Sequence, residues 1–274
     1  KFTTMVLYLI GTGLNDERDM TLGGIELMKV ADKIYLESYT SILSQRADLM
    51  KYTDGKPLIE ADRKMVEENC DEIIEEAKDK SIVLLVVGDP FCATTHSDLV
   101  LRAHEKDVKV EVRHNASIIS AIGCTGLQVY RFGETVSIPF FDGSWQPSSF
   151  YDKIKANIER GLHTLCLLDI KVKEQTIENM MRNRPIFEPP RFMTVNQAIS
   201  QLFILEDKLK QNVISPNSLA IGVARIGSSD QKIVSGTLSE LSDTDFGNPL
   251  HSLVICHPDL HLIEQRFFEI YRKK

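Results

Sequence analysis

Through its first half the chain alternates short apolar runs with amphipathic stretches. Val6-Leu7-Tyr8-Leu9-Ile10 is a run of strand formers closed by Gly11-Thr12-Gly13. From Thr21 to Val30, apolar Leu22, Ile25, Leu27, Met28 and Val30 sit among polar positions in a helical pattern, and Lys33 to Glu37 reads as a second strand. Asn69 to Lys78 predicts a helix with acidic residues outward and Ile73, Ile74 and Ala77 inward. Ile82 to Val87 is apolar without a break, as in a parallel strand covered by helices on both faces. Thr95 to Lys106 then predicts a helix, with Thr94 or Thr95 as its cap, and Lys109 to Val112 another strand. Alternation of this kind predicts an α/β fold.

The second half changes character. His163 to Leu168 reads as a strand and Asn196 to Lys210 as an amphipathic helix. Leu219 to Arg225 and Gln231 to Ser235 read as strands on either side of the polar turn Gly227-Ser228-Ser229-Asp230, so a hairpin and a mixed sheet are expected here. Ser252 to Cys256 is a last strand before a terminal helix, and Arg182 to Arg191, with Pro185, Pro189 and Pro190, reads as a surface loop. The change in pattern near Asn115 to Ser117 divides the chain into an N-terminal α/β domain, 1–115, and a C-terminal α/β domain, 116–274.

Composition narrows the function classes. Hydrophobic residues at 43% and charged residues at 26% fit a folded soluble chain and exclude disorder. A net charge of −7 argues against a general nucleic-acid binder, whose affinity rests on Lys and Arg neutralising phosphates. Cys70, Cys92, Cys124, Cys166 and Cys256 are scattered without a C-x-x-C pair, which implies neither a zinc site nor a disulfide framework. Free thiols fit a reducing compartment. No apolar run nears the ~20 residues of a membrane span. Lys1-Phe2-Thr3-Thr4 lacks a signal-peptide core, and Met5 reads as the native start. The expected location is cytoplasmic, with no membrane and no nucleic-acid partner.

Two segments carry candidate chemistry. Gly11-Thr12-Gly13 follows the first strand, but the third glycine of a dinucleotide fingerprint would fall at Asp16, and Asp16, Glu17 and Asp19 would repel a pyrophosphate. The glycines serve either a tight turn alone or close approach of backbone to an uncharged or cationic ligand. Gly88-Asp89-Pro90 ends the most apolar strand, where open parallel sheets place ligands. A lone G-D-P is more often a turn with a capping Asp.

The longer context decides. V-L-Y-L-I-G-T-G-L-N-D-E-R-D-M-T at Val6 to Thr21, L-E-S-Y-T-S at Leu36 to Ser41 and V-G-D-P-F-C-A-T-T-H-S-D-L at Val87 to Leu99 resemble the diphthine synthase family of the tetrapyrrole-methylase-like superfamily. The likeness continues in H-N-A-S-I at His114, F-G-E-T-V-S-I at Phe132, H-T-L-C-L-L-D-I-K at His163, E-P-P-R-F-M-T-V-N-Q-A at Glu188, V-A-R-I-G at Val223 and P-L-H-S-L at Pro249. It runs from Met5 to at least Leu253, and the E-P-P-R insertion resembles the eukaryotic branch.

The resemblance implies two α/β domains, a mainly parallel N-terminal sheet and a mixed C-terminal one, with an S-adenosylmethionine cleft between them and a homodimeric assembly. It places Leu14, Asp89, Cys92, Ser117, Ile118, Leu168, Ala224 and His251 at the methyl donor. Cys92 stands where the family has a small or aliphatic residue. Taken singly, each aliphatic position is more often plain core, and His251 more often a hydrogen-bonded core histidine. The implied activity is methylation of a 3-amino-3-carboxypropyl group built on a histidine of elongation factor 2, giving a methyl ester in the eukaryotic branch. Asp169, His163 and Glu134 are candidates for the base that takes the amine's proton; none is assigned, and no metal is implied. The rivals are a tetrapyrrole methyltransferase with the same pocket and a non-catalytic module that binds the elongation factor.

Overall fold

The computed structural model describes residues 5–41, 48–182, 184 and 186–273. Lys1 to Thr4 and Pro185 lie outside the described residues. The chain forms two compact units, one built from the residues up to Ile119 with Val172–Pro190, the other from Ser120–Lys171 with the residues from Arg191 onward.

The first unit is a five-stranded, all-parallel sheet in the order β3-β2-β4-β1-β5, where β1 is Val6–Gly11, β2 Lys33–Glu37, β3 Leu58–Ala61, β4 Ser81–Val86 and β5 Val110–Arg113. Every residue of β1 and β4 is buried, which is why their sequences show no alternation. The helices between strands are α1 (Leu22–Val30), α2 (Cys70–Glu76) and α3 (His96–Glu105). Thr21 caps α1 by accepting the Gly24 amide at 3.1 Å. The expected cap of α3 is absent: Thr95 makes no capping bond and its hydroxyl goes to Glu67, while the Thr94 hydroxyl donates to the Pro90 carbonyl. Apolar cores lie on both faces of the sheet, one around Leu84 and Ile74, the other around Val83 and Met28.

The second unit opens with the short α4 (Ile118–Ala121), whose first two residues count with the first unit. Its five-stranded mixed sheet involves β6 (Val136–Ile138) and β7 (Thr164–Leu168), and α5 (Ser149–Glu159) links them. Two short strands, β8 (Ile170–Lys171) and β9 (Arg191–Phe192), pair antiparallel and hold the ends of the 172–190 excursion, which contains α6 (Ile177–Met181). Then come α7 (Val195–Leu209), β10 (Leu219–Ala224), β11 (Lys232–Thr237), α8 (Leu238–Ser242), β12 (His251–Ile255) and α9 (Leu262–Ile270). The sheet order is β11-β10-β12-β7-β6; only the β6–β7 pair is parallel, and β10–β11 is the predicted hairpin. Capping boxes start α7, α8 and α9. The parallel first sheet and mixed second sheet match the sequence expectation.

Candidate functional site

In an all-parallel sheet the carboxyl ends of the strands share one edge, and the loops that leave it are free to shape a ligand site. Here the loops after β1, β4 and β5 are tied together there. Gly13 and Gly88 exchange backbone hydrogen bonds of 3.2 and 2.8 Å, so the β1 and β4 turns form one antiparallel bridge. Both glycines hold positive φ, +84° and +82°, a region that side-chain-bearing residues rarely enter. That need explains the glycine pattern better than any phosphate. Asp16, at the failed third glycine position, is turned into a bidentate pair with Arg18 that holds its carboxyl down at about 2.

Asp89 joins this bridge to the β5 loop. It is 4% exposed. One carboxylate oxygen accepts the Phe91 amide at 2.9 Å; the other accepts the Asn115 amide at 3.0 Å and His114 Nδ1 at 2.8 Å. Burial alone would raise its carboxyl, but the Phe91 and Asn115 amides and then His114 outweigh burial and leave it below the usual carboxylate range. Asn115 extends the tie, donating through Nδ2 to the Gly11 and Asp19 carbonyls at 3.0 Å each. Ser117, 3% exposed, packs so close that a Cβ on Gly88 would lie 3.5 Å from its own. Around this knot Leu14, Cys92 and Ile118 are half-buried, each offering some side-chain surface. The Cys92 amide closes a turn onto the Asp89 carbonyl at 3.2 Å. Leu14, Asp89, Cys92, Ser117 and Ile118 are therefore brought to one edge of one sheet. His114 and Asn115 stand in the quoted H-N-A-S-I segment, yet sequence reasoning gave them no role. Only the fold shows that they face Asp89.

Leu168, Ala224 and His251 belong to the second unit, and they too fall together. Ala224 is the register partner of His251, and Leu168 lies one residue beyond the Leu167–Ser252 pair, so the three share a row across β10, β12 and β7. Both ring nitrogens of His251 are engaged. Nδ1 accepts the Val195 amide at 3.4 Å, and Nε2 faces the Gly247 and Asn248 carbonyls at 3.1 and 3.0 Å. Carbonyls only accept, so the proton sits on Nε2 and the ring is neutral. Burial pushes its pKa down, against the pull of those two carbonyls. The ring pins the 247–250 loop and the start of α7.

The base candidates differ in access. His163 is fully buried, with Nε2 at Glu264 (3.3 Å) and Nδ1 accepting the His257 amide (3.0 Å). Glu134 is exposed and paired with Lys153. Asp169 follows Leu168 directly and accepts the Phe140 amide at 2.9 Å. Its side chain is 21% exposed, and Lys171 Nζ lies 3.8 Å away. Among the described residues no cluster of His, Cys, Asp and Glu could hold a metal ion. No described helix is long and apolar enough to cross a membrane.

Comparison with known proteins agrees with this architecture. Residues 6–242 match the family of Tetrapyrrole (Corrin/Porphyrin) Methylases. The chain is 54% identical to the diphthine methyl ester synthase of Dictyostelium discoideum over 272 residues, covering 98% of this chain and 99% of that one. It is 48% identical to the mouse (Mus musculus) diphthine methyl ester synthase over 270 residues, 97% of this chain and 96% of that one. A crystal structure assigned as a diphthine synthase from Entamoeba histolytica superposes with a TM-score of 0.86 at 44% identity, covering 98% and 99% of the two chains. A second diphthine synthase structure does so with a TM-score of 0.82 at 34% identity, covering 97% and 96%. The chain belongs to the tetrapyrrole methylase family and, within it, to the diphthine methyl ester synthases.

Proposed function

We propose that this methyltransferase uses S-adenosylmethionine to methylate the 3-amino-3-carboxypropyl group built on a histidine of elongation factor 2, and that the product carries a methyl ester. The observation that carries the reading is the Gly13–Gly88 bridge locked by Asp89 at the carboxyl edge of the parallel sheet. Beside it Leu14, Cys92 and Ile118 are half-buried. These features suit the donor's parts: apolar surface for the adenine and thioether, backbone groups for the polar edges, and one carboxylate for positive charge. Three of the acceptor positions on Asp89 are filled by protein donors. The donor's share of that carboxylate is at most the remaining lone pair, and the main work of Asp89 is to fix the loop.

When bound, the donor supplies a methyl group already activated by its sulfonium. The chain's task is then alignment, exclusion of water and provision for the amine's proton. Leu168, Ala224 and His251 serve alignment through a rigid sheet row, with His251 acting by shape because its nitrogens are occupied. Of the three base candidates, Asp169 is the one that adjoins this row with its carboxylate partly open to solvent. A carboxylate substrate needs no base near neutral pH, so esterification asks nothing further of the protein. The 54% and 48% identities to named methyl ester synthases support the ester over the tetrapyrrole alternative. A homodimer is also proposed, on family likeness; a single monomeric species in sedimentation at micromolar concentration would contradict it. Calorimetry tests the donor: S-adenosylmethionine and its demethylated product should both bind, and a folded protein that binds neither overturns the reading.

A further inference from the structure

We infer that His96 is a positioning residue for the ligand loop, holding the Pro90 carbonyl from beneath and so setting the backbone from Gly88 to Cys92. This rests on the reading above only for the identity of the ligand. The loop takes an unfavourable path: Gly88 has φ +82° and Ala93, without glycine's freedom, has φ +62°. Such backbone persists only where its surroundings over-determine it. From above, Asp89 holds the Phe91 and Asn115 amides. From below, one atom collects two donors: the Pro90 carbonyl accepts the Thr94 hydroxyl at 2.5 Å and His96 Nδ1 at 3.1 Å.

The second contact fixes the chemistry of the ring. A carbonyl oxygen only accepts, so the proton is on Nδ1 and Nε2 is a bare lone pair. His96 is 1% exposed, and its Nε2 is buried with no hydrogen-bond partner among the described residues. Burying an acceptor without a donor is unfavourable, and a leucine or phenylalanine would fill the same space without that cost. The feature of the imidazole that an apolar side chain cannot supply is the Nδ1–H aimed at Pro90. Tyr39 packs against the ring in a T-shaped contact, 6.5 Å between centroids. The imidazole is therefore wedged, and its donor cannot follow the carbonyl if the loop shifts.

Three variants separate this role from general packing. His96→Asn keeps a donor on the atom attached to Cγ, where Nδ1 was; His96→Gln moves it one bond outward; His96→Leu removes it. Two readouts apply: calorimetric affinity for the demethylated product of S-adenosylmethionine, and amide exchange at Phe91 and Cys92 with the β4 amides as internal control. The expected result is an Asn variant close to wild type, with Leu and Gln variants losing about tenfold in affinity and exchanging about tenfold faster at Phe91 and Cys92 alone. In turnover, the Leu variant should raise KM for S-adenosylmethionine and recover kcat at saturation. A Leu variant like wild type on both readouts, or an Asn variant no better than Leu, overturns the inference. Should the Leu variant not fold, the Asn and Gln variants decide: a Gln variant that exchanges no faster than Asn at Phe91 and Cys92 also overturns it. If wild type binds no product, the donor reading fails while amide exchange still decides the role of His96.

Discussion

Replacing Asp89 by Asn keeps the shape of the side chain and removes its charge. The structure predicts a loop defect that exists before any ligand arrives. The carboxylate faces the Phe91 amide with one oxygen and the Asn115 amide and His114 with the other, at 2.9, 3.0 and 2.8 Å. An amide has one oxygen, so either orientation turns an NH2 group toward an N–H donor. One charge-assisted bond is lost, worth roughly 1.5–3 kcal/mol, and one donor is left facing another. The His114 side chain is 68% exposed, so water takes over its share. Relief of the carboxylate's burial offsets part of the loss. The net is about 2 kcal/mol of local stability, or amide exchange about thirtyfold faster at Phe91 or Asn115. Affinity for the demethylated cofactor product should fall with it. Exchange at both amides within twofold of wild type would refute the clasp, even if affinity fell, because Asp89 would then act on the ligand alone.

Two further outcomes follow from the same geometry. His163 and His251 are held neutral, their pKa values pushed down first by burial. Their folded pKa values lie below the unfolded ~6.5, so the unfolded chain binds protons first as pH falls, and stability present above that value is lost below it. The thermal midpoint should drop between pH ~7.5 and ~5.5, and a level midpoint would contradict the assignment. At the glycine bridge, Gly88→Ala should cost only the left-handed backbone, about 1–2 kcal/mol, since its Cβ meets Ser117 at an ordinary 3.5 Å. Gly13→Ala adds an approach of 2.5 Å to the Asp19 Cβ and should be clearly worse in denaturant titration. Equal midpoints for the two variants would show that the bridge relaxes.

The first sheet was legible because its central strands are buried on both faces, and burial of that kind demands the unbroken apolar run seen at Ile82 to Val87. Its edge strand β3 was not, being four residues with a half-buried pattern; nor was β6, only Val136–Ile138, because so short a stretch carries no period. Helix α5 carries a sequence signal of its own: Phe150, Tyr151, Ile154 and Asn157 mark its buried face at helical spacing. The return of Val172–Pro190 to the first unit left no local signal, since it depends on long-range packing. In the site, Asp89 and the glycines stood out through their residue types. Their partners His114 and Asn115 did not, because a clasp between residues 25 and 26 positions apart is set by strand order rather than by spacing. His251 read as a ligand residue only through resemblance; the structure shows an imidazole occupied by backbone.

The proposed activity is transfer of methyl groups to elongation factor 2, ending in an ester. It is tested most directly by incubating the protein with S-adenosylmethionine and elongation factor 2 purified from cells that lack this enzyme. The modified peptide is then weighed by mass spectrometry before and after mild alkali. The expected product is an N-methylated peptide that loses one further methyl group to alkali. A peptide that gains no methyl groups, or one whose methyl groups all survive alkali at saturating cofactor and long times, would contradict it.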